Sequence, residues 1–362
     1  MKKQLTGLWV ACMVAIAPVL SAQSGHAHHG ERMAVKNVIY MIGDGMGLPQ
    51  VSATMLSSDV PLSLERAKIV GLQKSQSANS EVTDSAASGT ALATGHKTNN
   101  GMIGMTPDKQ PVESVRALAE KAGMATGVVA TYSITDATPA AFVAHNESRG
   151  NQEQIAEDFL KTDIDLFIGG GRDYFENRAD GRNLSDDLRK KGYTVAYTID
   201  EVKNAPCCKL AGLLTPKHMP SMIDGRGDVL PVATSKAIEL LSKRHPDGFF
   251  LMVEGSQIDG GGHANDAQKV ITETLDFDAA VKVAFDYADS HPGTLVVITA
   301  DHETGGLTLP AEDDKAVPKF STNGHTGMMI PVYAYGTGAR AFAGIMDNTD
   351  LPKKIEALLK LK

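Results

Sequence analysis

The chain has no surplus of positive charge, almost no cysteine, no internal repeat, no long low-complexity tract and no apolar run long enough to cross a bilayer. Its 35 Lys and Arg against 43 Asp and Glu leave a formal charge of -8. Broad nucleic-acid affinity needs a basic face to displace counterions, so this balance argues against a specific nucleic-acid partner, leaves a small local positive site open, and favours a small molecule. The apolar stretch of residues 8–20 is broken by Pro18 and falls short of the roughly 20 residues of a spanning helix. With Lys2 and Lys3 before it and Ser21 and Ala22 after it, it resembles a cleaved secretory signal instead. Residues 1–22 are therefore read as a signal peptide and 23–34 as a flexible linker, which predicts a periplasmic or secreted protein with no membrane span. Trp9-Val10-Ala11-Cys12 faintly resembles a lipoprotein processing site, but Cys12 comes too early, before most of the apolar region, and lipidation is the minor alternative.

Of the three cysteines, only Cys207 and Cys208 would remain after cleavage. Neighbours in sequence cannot form the C-x-x-C pairs of zinc ribbons or thioredoxins. A strained vicinal disulfide and two idle thiols both stay open. His26, His28 and His29 fall in the Ser/Gly-containing linker and are read as tail.

What the chain does have is alternation. Strand-like apolar runs occur at residues 35–42, 68–72, 126–130, 165–168, 249–253, 294–299 and 330–334, with helical patterns between them. Val112, Val115, Leu118, Ala119 and Ala122 share one helical face before Gly123. Residues 185–192 read as a helix capped by Ser185, with basic residues in the last turn and Gly192 after it. The pattern predicts an α/β three-layer sandwich, a large and mostly parallel sheet flanked by helices, forming a single catalytic domain over residues 35–362. Residues 205–231 and 310–324 carry Pro, Gly and charge and are expected to be surface excursions, with Glu312, Asp313 and Asp314 a solvated face.

Several strand ends carry metal-ligand side chains. Asp44 follows the first run, Glu254, Asp259 and His263 follow the run at 249–253, and Asp301 and His302 follow the run at 294–299. In open α/β sheets ligands bind at the carboxyl ends of the strands, so the recurrence points to one multi-metal site. Glu254 is informative even alone, because a carboxylate directly after a strongly apolar strand needs a partner. Taken singly, Asp259 and His325 read as turn or surface residues, Arg149 as a surface ion-pair partner and Thr138, before Pro139, as a loop residue. Ser85 lies among small residues at the start of a helix expected over 86–94, where Asp-Ser taken alone reads first as a cap, although a serine there could also serve as a nucleophile beside helix N–H groups. His96, His145, His218, His245 and His291 match no metal motif.

Taken together the motifs resemble the bacterial alkaline phosphatase family over nearly the whole mature chain. They are Gly43-Asp44-Gly45, Val82-Thr83-Asp84-Ser85-Ala86-Ala87-Ser88, Asp136-Ala137-Thr138-Pro139-Ala140-Ala141 followed by Ser148-Arg149, Val253-Glu254-Gly255-Ser256-Gln257-Ile258-Asp259 with His263, Thr299-Ala300-Asp301-His302, and Gly324-His325-Thr326. The resemblance implies a phosphate monoester hydrolase that forms phosphoserine at Ser85 and releases inorganic phosphate. It implies two Zn2+ and one Mg2+ per chain: Asp259, His263 and His325 on one zinc, Asp44, Asp301 and His302 on the second, and Asp44, Thr138 and Glu254 on magnesium. Arg149 would grip the phosphate. Histidine with carboxylate suits zinc, and an oxygen-only set suits magnesium. No histidine is assigned as a general base beside Ser85.

Two departures carry expectations. After Asp259, well-known members have a lysine, histidine or tryptophan over the phosphate, whereas this chain has Gly260 in a Gly260-Gly261-Gly262 run. One wall of the site is therefore expected to be open, phosphate weakly held, and Asp136 without a lysine partner from position 260. The segment between Glu303 and His325 is short, so the interface insertion of some relatives is missing and a homodimer rests on analogy alone. Within the wider superfamily a phosphodiesterase or sulfatase would share the zinc ligands, but diesterases usually carry threonine in another context and sulfatases a modified cysteine or serine in another motif. A non-catalytic periplasmic metal- or phosphate-binding protein would have little reason to keep Ser85 with every ligand.

Overall fold

The computed structural model describes residues 34–206 and 209–361, so the signal-like segment, almost all of the linker, Cys207 and Cys208 lie outside the described residues. In chain order the strands are β1 (Asn37–Gly43), β2 (Ile69–Lys74), β3 (Ala125–Ser133), β4 (Leu166–Gly170), β5 (Tyr193–Ala196), β6 (Lys209–Leu213), β7 (Phe249–Gly255), β8 (Thr294–Thr299), β9 (Glu303–Thr304), β10 (Ala311–Glu312), β11 (Lys315–Ala316), β12 (His325–Thr326), β13 (Ile330–Gly336) and β14 (Gly344–Asp347). Ten of them form one sheet in the order β14-β2-β13-β8-β1-β7-β3-β4-β6-β5. Within it β13 alone runs against its neighbours; every other pairing is parallel.

The central strands are apolar throughout because both of their faces are covered. In β1, Val38, Tyr40 and Ile42 enter one core, while Ile39 and Met41 enter the other. Side chains alternate across a strand, so a run of consecutive apolar residues feeds two layers at once. The helix Val115–Lys121 covers the first face through Val115 and Ala119, and the helices Val229–Arg244 and Ala267–Ser290 cover the second through residues such as Ala237 and Phe277. This is the three-layer arrangement that the alternation implies. Among the described residues no helix is long and apolar enough to cross a membrane.

The structure departs from expectation in three places. β6 lies inside the stretch read as a surface excursion, as does the start of the helix Val229–Arg244. Lys209-Leu210-Ala211-Gly212-Leu213 has little strand propensity of its own; pairing on both sides, with β4 and β5, makes it a strand. By contrast, residues 310–324 do stay at the surface: β10 and β11 form a short hairpin whose two turn residues, Asp313 and Asp314, have φ of 48° and 63°, the left-handed pair of a type I′ turn. The helix near Val112 begins only at Val115, because Ser114 caps it by accepting from Ala117 N at 3.2 Å.

The third difference concerns the helix Leu184–Lys190. Its cap is Asn183, whose side chain accepts from Asp186 N at 3.2 Å, and not Ser185. Ser185 is inside the helix, buried, and its hydroxyl has no hydrogen-bond partner among the described residues. Asn183→Ala should therefore cost about 1 kcal/mol in denaturant unfolding, whereas Ser185→Ala should stay within about 0.5 kcal/mol of the parent or stabilise it. The opposite ranking would return the capping role to Ser185.

Candidate active site

Four adjacent strands, β8-β1-β7-β3, end at the same edge of the sheet, and each delivers chemistry there. The register aligns Ile42 with Glu254 on one side and with Thr299 on the other, so Asp44, Glu254 and Asp301 emerge side by side. Asp44 is fixed by its own backbone N–H, which donates to Gly255 O at 3.1 Å. Beyond β3, the short helix Ala137–Ala141 carries Thr138.

One cluster consists of Asp259, His263 and His325, whose ligand atoms lie within 4.8 Å of one another. Asp259 and His263 occupy neighbouring turns of the short helix Ile258–His263, with Nε2 to Oδ2 at 3.3 Å. His325 comes from β12, which pairs antiparallel with β9 and so brings His325 opposite Thr304. The Nε2 atoms of His325 and His263 are 3.2 Å apart. Both Nδ1 atoms face backbone carbonyls, His263 that of Asn323 and His325 that of Thr83, which leaves the two Nε2 atoms as lone pairs facing each other, an arrangement that suits a shared cation better than a shared proton.

The second expected set is also together. His302 Nε2 is 3.1 Å from Asp301 Oδ2 and 3.5 Å from Asp44 Oδ1, yet neither of these buried carboxylate oxygens has a hydrogen-bond partner among the described residues. Asp259 also falls within 4.8 Å of Asp44 and His302, so it stands between the two clusters. Buried polar atoms left without partners need an explanation, and a zinc ion at their focus supplies one. Glu254 and Thr138 are buried as well and close enough for the Thr138 hydroxyl to favour the charged form of Glu254, although Thr138 Oγ1 has no well-aligned hydrogen bond among the described residues. Glu254 Oε2 accepts from Ser256 Oγ at 2.5 Å. With Asp44 they form an all-oxygen set of the kind magnesium prefers.

Ser85 is the first residue of the helix Ser85–Thr94. The cap is Asp84, whose Oδ1 accepts from Ala87 N at 2.9 Å, which leaves Ser85 free of that duty. Its Oγ lies 3.2 Å from His302 Nε2. The histidine beside Ser85 is thus His302, assigned to the metal set next to the serine, and the same nitrogen faces the two unpartnered carboxylates, the position of a ligand. Arg149 approaches from the other residues of this loop system, 3.5 Å from Asp84 Oδ2 and 3.4 Å from Asp136 Oδ1. Burial works against its charge, but Asp136, Asp84 and Asp44 outweigh it and hold the guanidinium more firmly cationic than usual.

Two expectations drawn from Gly260 are corrected. Asp136 does not lack a cationic partner, since Arg149 provides one. Nor is the space over Gly260 open: Lys269 Nζ lies 3.2 Å, and the Tyr132 hydroxyl 3.7 Å, from where a Cβ on residue 260 would stand. Sequence reading also missed Thr304 and Glu303. Thr304 Oγ1 donates to Asp259 Oδ1 at 2.5 Å and lies 3.2 Å from His302 Nδ1, so it orients both clusters. Glu303 accepts from Gln50 Nε2 at 2.7 Å, from Leu307 N at 3.0 Å and from the Thr326 hydroxyl, which anchors the strand bearing His325. Both follow His302 directly in Asp301-His302-Glu303-Thr304, and that adjacency was the available signal.

The electrostatics predict how the site responds to metal removal. Burial, with Asp301, Asp259 and Glu254 nearby, pushes Asp44 well above the ordinary carboxylate range, and burial pushes Glu254 up to about 8. Its hydrogen bond with Asp259 raises His263 to about 9. Raised groups stabilise the fold below their unfolded values and lose that contribution as pH climbs through the folded ones. For Glu254 this window runs from 4.5 through about 8, and for His263 from 6.5 through about 9. Chelator-treated protein should therefore melt at progressively lower temperature between about pH 6 and pH 9, while metal-loaded protein changes little. A gap between the two melting curves that is constant over this range would mean the carboxylates do not depend on cations.

The family model described as alkaline phosphatase matches residues 35–317. Alkaline phosphatase 4 of Bacillus subtilis (strain 168) is 33% identical to this chain over 437 residues, covering 97% of it and 94% of that protein. The alkaline phosphatase of Escherichia coli (strain K12) is 33% identical, with 90% and 86% covered. Among solved structures, alkaline phosphatase from the Antarctic bacterium TAB5 aligns with a TM-score of 0.88 at 42% identity, covering 92% of this chain and 100% of that one. A mutant of that enzyme was solved with magnesium in a site named M3. The family-model match takes in β1 to β11, with the strand ends that carry Asp44, Glu254 and Asp301, and by it this chain belongs to the alkaline phosphatase family, enzymes that hydrolyse phosphate monoesters.

Proposed function

We propose that this phosphomonoester hydrolase works through a phosphoserine at Ser85, with two zinc ions and one magnesium ion per chain. Asp259, His263 and His325 would hold one zinc, Asp44, Asp301 and His302 the second, and Asp44, Thr138 and Glu254 the magnesium. The observation that carries the reading is the meeting of Ser85 Oγ with His302 Nε2 at 3.2 Å, beside carboxylate oxygens of Asp44 and Asp301 that have no hydrogen-bond partner among the described residues. A capping serine has no need of such company.

A phosphate monoester repels an anionic nucleophile, so its hydrolysis rests on positioning and charge neutralisation. Bound zinc and magnesium would supply Lewis-acid neutralisation of the nucleophile, the leaving oxygen and the carboxylate crowd. The rest falls to the chain. Arg149, kept cationic by Asp84 and Asp136, holds two non-bridging oxygens with its planar fork. The first turn of the helix Ser85–Thr94 directs its free N–H groups at the same anion. Ser85 Oγ forms the bond to phosphorus as the ester P–O bond breaks, its proton passes to solvent, and the departing oxygen takes a proton from solvent to leave as the alcohol. Water then attacks phosphorus, the Ser85 Oγ–P bond breaks, and inorganic phosphate and free Ser85 result. Serine as nucleophile and a bidentate arginine favour monoesters over diesters or sulfate esters, and a panel of the three ester types tests that preference. The signal-like residues 1–22 support export to the periplasm or medium.

Ser85→Ala should abolish the phosphoenzyme and nearly all turnover while zinc content stays near that of the parent. Acid quenching after incubation with labelled phosphate ester locates the intermediate; label on another residue would overturn the assignment. The shared role of Asp44 is tested by elemental analysis. Asp44→Asn should lose zinc and magnesium together, whereas Glu254→Gln should lose mainly magnesium, and unchanged stoichiometry in both variants would refute the shared-ligand arrangement.

A further inference from the structure

Lys269 is poorly placed for helix stability. It lies in the first turn of the 24-residue helix Ala267–Ser290, three positions after the capping Asp266. A cation there opposes the helix dipole. Nor does a fixed partner compensate: among the described residues its ammonium makes no hydrogen bond or ion pair, although its backbone N–H donates to Asp266 Oδ1 at 3.0 Å. The acids that could have served are engaged elsewhere, Asp136 with Arg149 and Asp259 with His263 and Thr304.

The three glycines indicate what Lys269 is for. A Cβ on Gly261 would stand 2.7 Å from Val270 N, and one on Gly262 2.6 Å from Thr304 O, so both are required by backbone contacts. Gly260 meets no backbone, and its φ is not among the positive ones. What a side chain at 260 would meet is the end of Lys269, with Nζ at 3.2 Å and Cε at 3.6 Å, and the Tyr132 hydroxyl at 3.7 Å. Tyr132 is stacked on His218 with ring centroids 4.0 Å apart. Burial and the acids Asp136, Asp259, Asp44 and Glu254 push its hydroxyl up to about 12, so it remains a proton donor throughout the working range. An ammonium and a protonated phenol thus converge over Gly260, next in sequence to Asp259.

We infer that Lys269, reaching over Gly260 from the next helix, is a phosphate-binding residue. Its ammonium, with the Tyr132 hydroxyl, engages a non-bridging oxygen of the bound phosphoryl group and of inorganic phosphate, directly or through one water. Gly260 is the clearance for that side chain. This rests on the phosphate position proposed above, between Ser85 and Arg149, and turns the expectation of weak product binding into its opposite.

The test is the inhibition constant of inorganic phosphate, with zinc and magnesium content measured on the same samples. Lys269→Met, which keeps the length and removes the charge, should raise the constant about three- to tenfold and raise KM for a phosphate ester with it. Lys269→Arg should recover most of the loss, and the difference between parent and Lys269→Met should shrink at high salt. Gly260→Ala, which displaces the ammonium, should weaken phosphate in the parent but not in the Lys269→Met background. Unchanged phosphate inhibition at full metal content would overturn the inference, and so would loss of zinc in Lys269→Met, which would make the ammonium a counter-charge for the carboxylates. Trapping phosphoserine on the parent enzyme separates failure of the Ser85 mechanism from failure of this role for Lys269.

Discussion

The constraint on which the site depends is the crowding of negative charge at one edge of the sheet. Asp44, Glu254 and Asp301 emerge from neighbouring strands, Asp259 lies within reach of Asp44, and Asp84 and Asp136 stand around Arg149. Two like charges 4 Å apart repel by about 4 kcal/mol at the effective dielectric of a protein edge, so several such pairs can be held only by a stiff frame or by cations. The frame is the parallel sheet, whose central strands are buried on both faces. It fixes the carboxylates more tightly than loops could, and repulsion that would scatter side chains on a surface here becomes affinity for divalent metal.

Around this focus the chain uses a few residues as joints. Asp84 caps the nucleophile helix with one oxygen, while the other accepts from Gly101 N at 2.9 Å and faces Arg149, so the positions of Ser85 and of the phosphate grip are set by one carboxylate. Glu303 ties Gln50, Leu307 and Thr326 together and thereby carries His325 into the site, although that histidine is more than twenty residues away in sequence from His302. The rings of His302 and His325 stack with centroids 3.6 Å apart. The two clusters are thus a single mechanical unit, and Thr304 bridges them through Asp259 and His302.

The central architecture was legible because its signals are local. Apolar runs ending in Asp or Glu mark β1, β7 and β8 directly, and the structure brings together every residue assigned to a ligand cluster from those runs. The strands at the two ends of the sheet were less legible: the edge strands β5 and β14, and β6 beside β5, are four or five residues long and owe their form to partners rather than to periodicity. Cap assignment failed at Ser185 because Asn183, two residues earlier, competes for the same N–H groups and wins. The contact over Gly260 was invisible for a different reason. Gly260 was compared with the side chain that relatives carry at that position, while the group filling the space comes from Lys269, on the following helix.

The two clusters differ in their access to water, and this bears on which part of a phosphate ester such a site could select. His302 and Asp301 are fully buried, so the side that activates Ser85 is dry and its electrostatics strong. His263 is 43% exposed and belongs to the cluster on the far side of Asp259. A nucleophile held in the dry half and a leaving oxygen directed to the wet half would let the alcohol remain largely in solvent. Selectivity would then come from the phosphoryl group and little from the alcohol. On this geometry a preference for the phosphoryl group over the alcohol would follow from burial on one side of a shared aspartate and exposure on the other.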